Sequence, residues 1–360
     1  MKVKTSMNGL IKNQQKNYCL TLSEITRTDK LLLKMKIIVP LSGGKDSQAS
    51  LLWAIEKYGV ENIESVFCDT KWESKITYNH INYLVDKSEV KFTSLVSSKY
   101  DGMVDMAVKK GRFPSSQSRF CTVELKVKPM IDYVLSQTEN LIIVQGIRAD
   151  ESSERSKMEE VCRYFKYYFQ PYQTNSMIVE KYSNMKTLSL VQKNKLSKAK
   201  LRLEQGKEDP KFHTYRKKDV FEWCKKYDDT IQRPFFNATG DEVIYYSLNR
   251  GFDINPMYFK GFSRVGCYPC VMCKQSEIDL IIKNDEKRIN EIRENEALAN
   301  STFFKPDTVP PRYRIKKEGV KKKITPIDSV VKYSKDRHAT EDMFEDTDDF
   351  QCKSVYNICE

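Results

Sequence analysis

A six-residue string, Ser42-Gly43-Gly44-Lys45-Asp46-Ser47, constrains the fold more than any other stretch of the chain. An apolar run, Ile37-Ile38-Val39-Pro40-Leu41, precedes it and an apolar-periodic stretch from Ala49 to Tyr58 follows, so the context predicts strand, tight turn and helix. Paired glycines let the backbone approach a ligand closely. The free N–H groups of such a turn and of the helix start converge on one point, which suits a phosphate. Lys45 adds a positive charge, while Asp46 and Ser47 either cap the helix or meet a metal ion. The string is not a Walker loop, because Asp follows Lys45 and the upstream glycine spacing is absent. A plain glycine turn capped by Asp46 accounts for the glycines but not for the whole string in this context.

Composition narrows the setting. With 360 residues, 40% hydrophobic and 31% charged, the chain can bury one large or two modest cores and reads as globular. No apolar run reaches membrane-spanning length and the N-terminus lacks an apolar h-region, so a cytoplasmic setting without a membrane partner is expected. The net charge of +12 favours anionic partners: nucleotides, nucleic acid or sulfate esters. Ten cysteines in that setting point to metal, cluster or redox chemistry rather than disulfides. The three histidines, His80, His213 and His338, are too scattered to suggest a His-rich zinc site.

Residues 1–34 read as a polar extension with a short helix near Leu20 to Leu33. From Lys36 to about Arg148, strands and helices alternate. Ser65 to Thr70 reads as a second strand, Thr77 to Val85 as a helix and Leu141 to Gly146 as a third buried strand. That alternation predicts an α/β fold, a parallel sheet flanked by helices. Ligands in such sheets sit at strand carboxyl ends, where Ser42, Asp69 with Thr70, and Gly146 with Arg148 all fall. In the lysine-rich stretch 180–218, Lys193, Lys195, Lys198, Lys200 and Arg202 crowd an expected helical insert. A solvated face is the default there and a nucleic-acid contact the alternative. A basic run from Arg312 to Lys323 and an acidic one from Glu341 to Asp349 precede the end. The domain reading is an extension over 1–34, a phosphate-loop domain over 35–178, a basic helical insert over 179–218, completion of the domain with a thiolate site over 219–275, and a helical tail over 276–360.

Three further segments carry chemistry. Cys121 lies among Arg119, Lys126 and Lys128, and nearby positive charge lowers a thiol's pKa towards thiolate; a small buried hydrophobe is the plain alternative. Gly146-Ile147-Arg148-Ala149-Asp150-Glu151 leads to Arg155, so Arg148 and Arg155 offer forked hydrogen bonds to a phosphate or sulfate, while Asp150 and Glu151 orient them or cap the next helix. Cys267-Tyr268-Pro269-Cys270-Val271-Met272-Cys273 is a doubled Cys-x-x-Cys, preceded by Gly266 as expected of a tight knuckle. Zinc and iron–sulfur clusters both take four thiolates. Cys273 offers the third and Cys121 a long-range fourth, with Cys162, Cys352 and Cys359 in reserve; a redox pair remains the other option.

Taken in order, these motifs resemble the phosphoadenosine phosphosulfate (PAPS) reductase family in its broad sense. That family, with many phage and mobile-element members, lies within the adenine nucleotide alpha-hydrolase (PP-loop ATP pyrophosphatase) superfamily. The resemblance rests on Ser42–Ser47, Cys68-Asp69-Thr70, Cys121-Thr122 with Leu125-Lys126, Gly146-Ile147-Arg148 with Asp150-Glu151 and Arg155, Asn255-Pro256-Met257-Tyr258, and Gly261 to Cys267. It spans about residues 36 to 275 and omits the extension and the insert. It implies a Rossmann-like domain with a helical insert and a cysteine-rich C-terminal region. Sulfonucleotide reductases of the family generally carry a degenerate loop, whereas the intact string here looks like the ATP-cleaving branch, which includes nucleic-acid thiolation enzymes.

Two mechanisms follow from the resemblance. In the favoured one, ATP with Mg²⁺ places its pyrophosphate on Ser42–Ser47, an acceptor is adenylated, and sulfur displaces AMP. Lys45, Arg148 and Mg²⁺ would stabilise charge on the leaving group, Asp46 or Asp69 would hold metal or the nucleotide, and Cys121, Cys267, Cys270 and Cys273 would hold a [4Fe-4S] cluster or, alternatively, zinc; a sulfur donor would complete it. In the other, PAPS binds the same cleft and a tail cysteine, Cys359 or Cys352, attacks its sulfur, with a thioredoxin-like reductant as partner. A non-catalytic nucleotide- or nucleic-acid-binding module is the third reading.

Overall fold

The computed structural model describes residues 35–316, 319 and 323–341. The expected helix near Leu20 to Leu33, the acidic stretch beyond Glu341 and both tail cysteines lie outside them. The apolar run before Ser42–Ser47 forms β1 (Met35–Pro40), which lies between two parallel neighbours, β2 (Ile63–Cys68) and β4 (Asn140–Val144). Ile37 is level with Ile63 on one side and Ile142 on the other. The sheet is completed by β3 (Lys91–Leu95), β5 (Val161–Arg163) and β6 (Asp229–Gln232), in the order β3-β2-β1-β4-β6-β5. Only β5 runs antiparallel, against β6. The buried Asp229 fastens that edge by accepting from Arg163 Nε (2.8 Å) and the Phe165 N–H (2.6 Å).

Helices cover both faces, as strands buried on two sides require. On one face α1 (Lys45–Tyr58) and α2 (Lys75–Ser88) bury Leu51, Ala54, Ile81 and Leu84 against Ile37, Val39 and Ile63. After α3 (Met103–Lys110), the opposite face is packed by α4 (Lys128–Leu135), which follows a π-turn at Val123–Val127. Ile131 and Val134 of that helix meet Ile38, Leu141 and Ile143. The insert holds α5 (Asn175–Ser183) and α6 (Leu190–Glu204), and α7 (Lys217–Cys224) returns the chain to the sheet. Next come α8 (Gly240–Leu248), α9 (Gln275–Asn284), α10 (Glu286–Leu298) and α11 (Ile327–Glu341). A third core around Trp72, Met103, Phe303 and Ile292 joins the last three helices to the segment beyond β2. Among the described residues no helix is long and apolar enough to cross a membrane.

The sheet is the one expected, with more strands than the apolar runs reveal. Leu141 to Gly146 supplies the fourth strand, not the third, because Lys91–Leu95 forms an edge strand with no fully buried residue. β2 starts at Ile63 and stops at Cys68, which leaves Asp69 and Thr70 beyond its end. Within the insert, 205–216 is not helical.

Candidate functional site

The loop between β1 and α1 is held open at its centre. Gly43 has φ +72°, and a Cβ there would lie 2.9 Å from Thr77 Cγ2, so the turn needs glycine for both dihedral and space. Gly44 stands at the N-cap of α1 and brings no capping side chain, so the N–H groups after that of Lys45, which Tyr258 takes, are left for a ligand. Ser47 ties the turn together: its Oγ accepts from the Ser42 N–H (3.1 Å) and donates to the Gly44 carbonyl (2.9 Å). Asn255 donates to the Gly43 carbonyl (2.9 Å) and the buried Tyr258 hydroxyl accepts from the Lys45 N–H (3.1 Å), so a distant segment closes over the turn.

Asp46 is a clamp rather than a cap. Its carboxylate meets Lys45 Nζ at 3.2 Å and Arg148 Nε at 2.6 Å, with both cations buried. Arg148 is also paired with Asp150, and its own N–H donates to Glu151 (3.1 Å). Arg155 is half-buried and pairs with Glu151, which also accepts from the Arg148 N–H. Gly146 reaches the loop from the end of β4. A Cβ on it would stand 2.4 Å from the Asp46 carbonyl and 2.5 Å from the Ser47 nitrogen, so Gly146 is a backbone contact that seats the loop.

Beside Ser42, the carboxyl ends of β1 and β2 open on a cavity of about 330 Å³. Its walls include Leu41, Phe67, Cys68, Met130, Gln145 and the aromatic residues Tyr164, Phe165, Tyr167 and Tyr168. This falls within the size and apolar character of small-molecule sites, about 300–1,000 Å³. Lys126 lies on its wall and carries positive charge from the cavity to the sulfur side.

The thiols gather behind it. Cys121, Cys267 and Cys273 pack against the same core, and Cys270 lies close enough to each to help raise its pKa. Cys267 pairs through a backbone bridge with Glu73, and its Sγ lies 3.8 Å from Thr70 Oγ1. Thr70 therefore serves the sulfur side, donating to Glu73 at 2.7 Å, while Asp69 accepts from Tyr78 (2.6 Å) and the Lys71 N–H (2.8 Å). Burial pushes Cys267 up to about 11, against the pull of Lys126, and Cys273 up to about 12. Cys121 also departs from expectation: burial raises its pKa, and Lys126 is a minor opposing influence. Gly266 is not sterically required at the knuckle, since a Cβ there meets nothing within 4 Å. Four thiols fit a cluster or zinc in donor type and number. Among the described residues, no group of three or more His, Cys, Asp or Glu is arranged to hold a metal ion.

Several contributors gave no local sequence signal. The buried Gln48 donates to the Asp253 carbonyl (3.0 Å) and accepts from His80 Nε2 (3.0 Å), which fixes α1 against α2 directly behind the loop. Burial pushes His80 down to about 4, with Asp253 opposing. Below the unfolded value of about 6.5, the unfolded chain takes a proton that the folded chain refuses until pH falls to about 4. This contribution is present above pH 6.5 and is lost as pH falls through that window, up to about 3 kcal/mol. In urea unfolding at pH 7 and pH 4.5, His80→Gln should lose clearly less stability on acidification than the parent. Equal losses would remove His80 as the cause. The aromatic cavity wall had a visible signal, the run Tyr164-Phe165-Lys166-Tyr167-Tyr168-Phe169, which no motif claimed.

The profile of the phosphoadenosine phosphosulfate reductase domain matches residues 36–273. An uncharacterised 37.8 kDa protein of Escherichia phage 186 is 26% identical over 329 residues, with 76% of this chain and 80% of that protein covered. An uncharacterised protein of Methanocaldococcus jannaschii is 25% identical over 236 residues; 66% of this chain is covered, but it spans only 41% of that longer protein. Among solved structures, the PAPS reductase of Candida auris in a phosphate complex is 12% identical with a TM-score of 0.39, covering 70% of this chain and 98% of that one. The U34-tRNA thiolase NcsA of Methanococcus maripaludis, with its [4Fe-4S] cluster, is 15% identical with a TM-score of 0.35, covering 80% and 81%.

Proposed function

The chain belongs to the phosphoadenosine phosphosulfate reductase domain family, and from that membership we propose that it uses ATP to adenylate an acceptor and then exchanges the adenylate for sulfur. The observation that carries this reading is the start of α1, where Gly44 brings no capping side chain and Tyr258 takes the Lys45 N–H, beside two buried cations, Lys45 and Arg148, bridged by Asp46. A loop kept whole in this way suits a triphosphate whose pyrophosphate must leave.

The adenosine end fits the cavity beside Ser42, where apolar and aromatic walls suit a base. The phosphates fall over the α1 N-terminus. An acceptor oxygen attacks the α-phosphorus, the bond to the bridging oxygen breaks, and pyrophosphate leaves with the bonding electrons. Lys45 and the free loop N–H groups stabilise that charge, and Asp46 holds Lys45 and Arg148 in place. A sulfur nucleophile then attacks the activated acceptor carbon and AMP departs. Mg²⁺, a cation of oxygen ligands, would neutralise the leaving group, and Asp69 offers it a carboxylate less committed than that of Asp46. Cys121, Cys267, Cys270 and Cys273 would hold a cluster or zinc, and that group would hold or deliver sulfur.

Anaerobic purification followed by iron, sulfide and zinc analysis tests the sulfur side. Bound iron and sulfide, or zinc, should be present in the parent chain and largely lost from Cys267→Ser and Cys270→Ser. A parent chain free of all three would remove the thiolate site. The reductive alternative makes a different prediction: sulfite from PAPS and thioredoxin, abolished by changing Cys359 and Cys352. The adenylation reading expects no sulfite.

A further inference from the structure

The insert and the cavity rim form a surface that adenylation leaves unused. Tyr167 and His213 line the cavity beside Ser42. The His213 ring stacks on Tyr172, with centroids 5.0 Å apart and 26° between planes. Tyr167 and Tyr172 are 42% and 46% exposed, so this aromatic step is open to solvent. Tyr172 also lines a second cleft of about 550 Å³, whose walls carry Lys157, Lys181, Lys195 and Tyr182. A continuous path therefore runs from the nucleotide cavity, over the step, into a cationic cleft.

Helix α6 flanks that path. Its Lys193, Lys195, Lys198 and Lys200 are exposed, and no carboxylate pairs with them among the described residues. Within the cleft, Glu154 is already paired with Lys181 (2.5 Å), and Glu180 is the other acid. The hairpin adds little to the core, since α5 buries only Asn175 and α6 only Ala199. Its ordered shape thus presents cations outward beside exposed rings.

We propose that this surface binds single-stranded nucleic acid, with bases stacked on Tyr172 and His213 and phosphates following the α6 lysines to the cavity mouth. Rings stack on bases of any sequence and lysines track the backbone. A duplex keeps its base faces hidden and would leave the aromatic step without partners. Nucleic acid as the acceptor rests on the adenylation reading; the binding does not.

The test is fluorescence anisotropy with labelled single-stranded DNA, single-stranded RNA and duplex oligonucleotides of about 20 nucleotides, between about 50 and 200 mM salt. Single strands should bind more tightly than duplex, with steep salt dependence. Changing Lys193, Lys195, Lys198 and Lys200 together to Gln should lower the slope of log K against log salt by about 3, from four phosphates at about 0.7 each. These positions are exposed, so ATP binding and melting temperature should stay unchanged. Tyr172→Ala should cost about tenfold in affinity with little change in slope. Duplex preference, or an unchanged slope in the lysine variant, would overturn the proposal. Tight single-strand binding without pyrophosphate release would leave the surface standing and remove adenylation. Pyrophosphate release with no oligonucleotide binding would remove the surface alone.

Discussion

Replacing Gly146 by alanine is expected to abolish ATP binding and to destabilise the chain by about 3 kcal/mol or more. The new Cβ would lie 2.4 Å from the Asp46 carbonyl and 2.5 Å from the Ser47 nitrogen. Those atoms are backbone in the first turn of a buried helix, so no rotamer change relieves the clash. Either β4 or the loop must move, which takes the loop N–H groups away from the point on which they converge. Gly266→Ala is the matched control. A Cβ there meets nothing within 4 Å, so its stability and ATP binding should be near those of the parent. Urea unfolding and calorimetric ATP titration of the two variants read both effects. A Gly146→Ala chain with the parent's midpoint and affinity would mean that β4 does not seat the loop.

Asp46→Ala should cost about 3 kcal/mol, the lower end for breaking a buried ion pair. It removes the shared counter-charge of two cations whose side chains are 8% and 4% exposed, Lys45 and Arg148. Arg148 keeps Asp150, which limits the loss. The more telling consequence concerns the ligand. With its carboxylate gone, the cation pair should draw more stability from a polyphosphate, so inorganic pyrophosphate should raise the melting temperature further in Asp46→Ala than in the parent. A smaller rise in the variant would show that the two cations do not face the phosphates.

The strand–turn–helix at Ser42–Ser47 was legible because its whole message lies in six consecutive residues between an apolar run and a periodic one. β1 and β4 were legible because strands buried on both faces are written as apolar runs, and β2 was read only from Ser65 because the buried Glu64 and Ser65 interrupt its run. β3 was not, since Lys91-Phe92-Thr93-Ser94-Leu95 forms a partly exposed edge. β6 has one buried hydrophobe, Ile231, and it and β5 are separated by the insert, so their pairing depends on contacts such as Arg163 with Asp229. Side chains that close over the loop come from Asn255 and Tyr258, more than 200 positions away, and only the family resemblance put them near it. Local charge also misled at Cys121, where burial outweighs the neighbouring lysine. Asp46 read as a cap or a metal ligand from its position, but the arginine that engages it enters from β4.

Pyrophosphate release from Mg²⁺–ATP by anaerobically purified parent chain and by Lys45→Ala is the most direct test of the central claim. The account predicts Mg²⁺-dependent release by the parent, together with AMP formation, and a fall of about 10²- to 10³-fold in Lys45→Ala. Neither ATP binding nor pyrophosphate release by the parent, or release that is indifferent to Lys45, would contradict it.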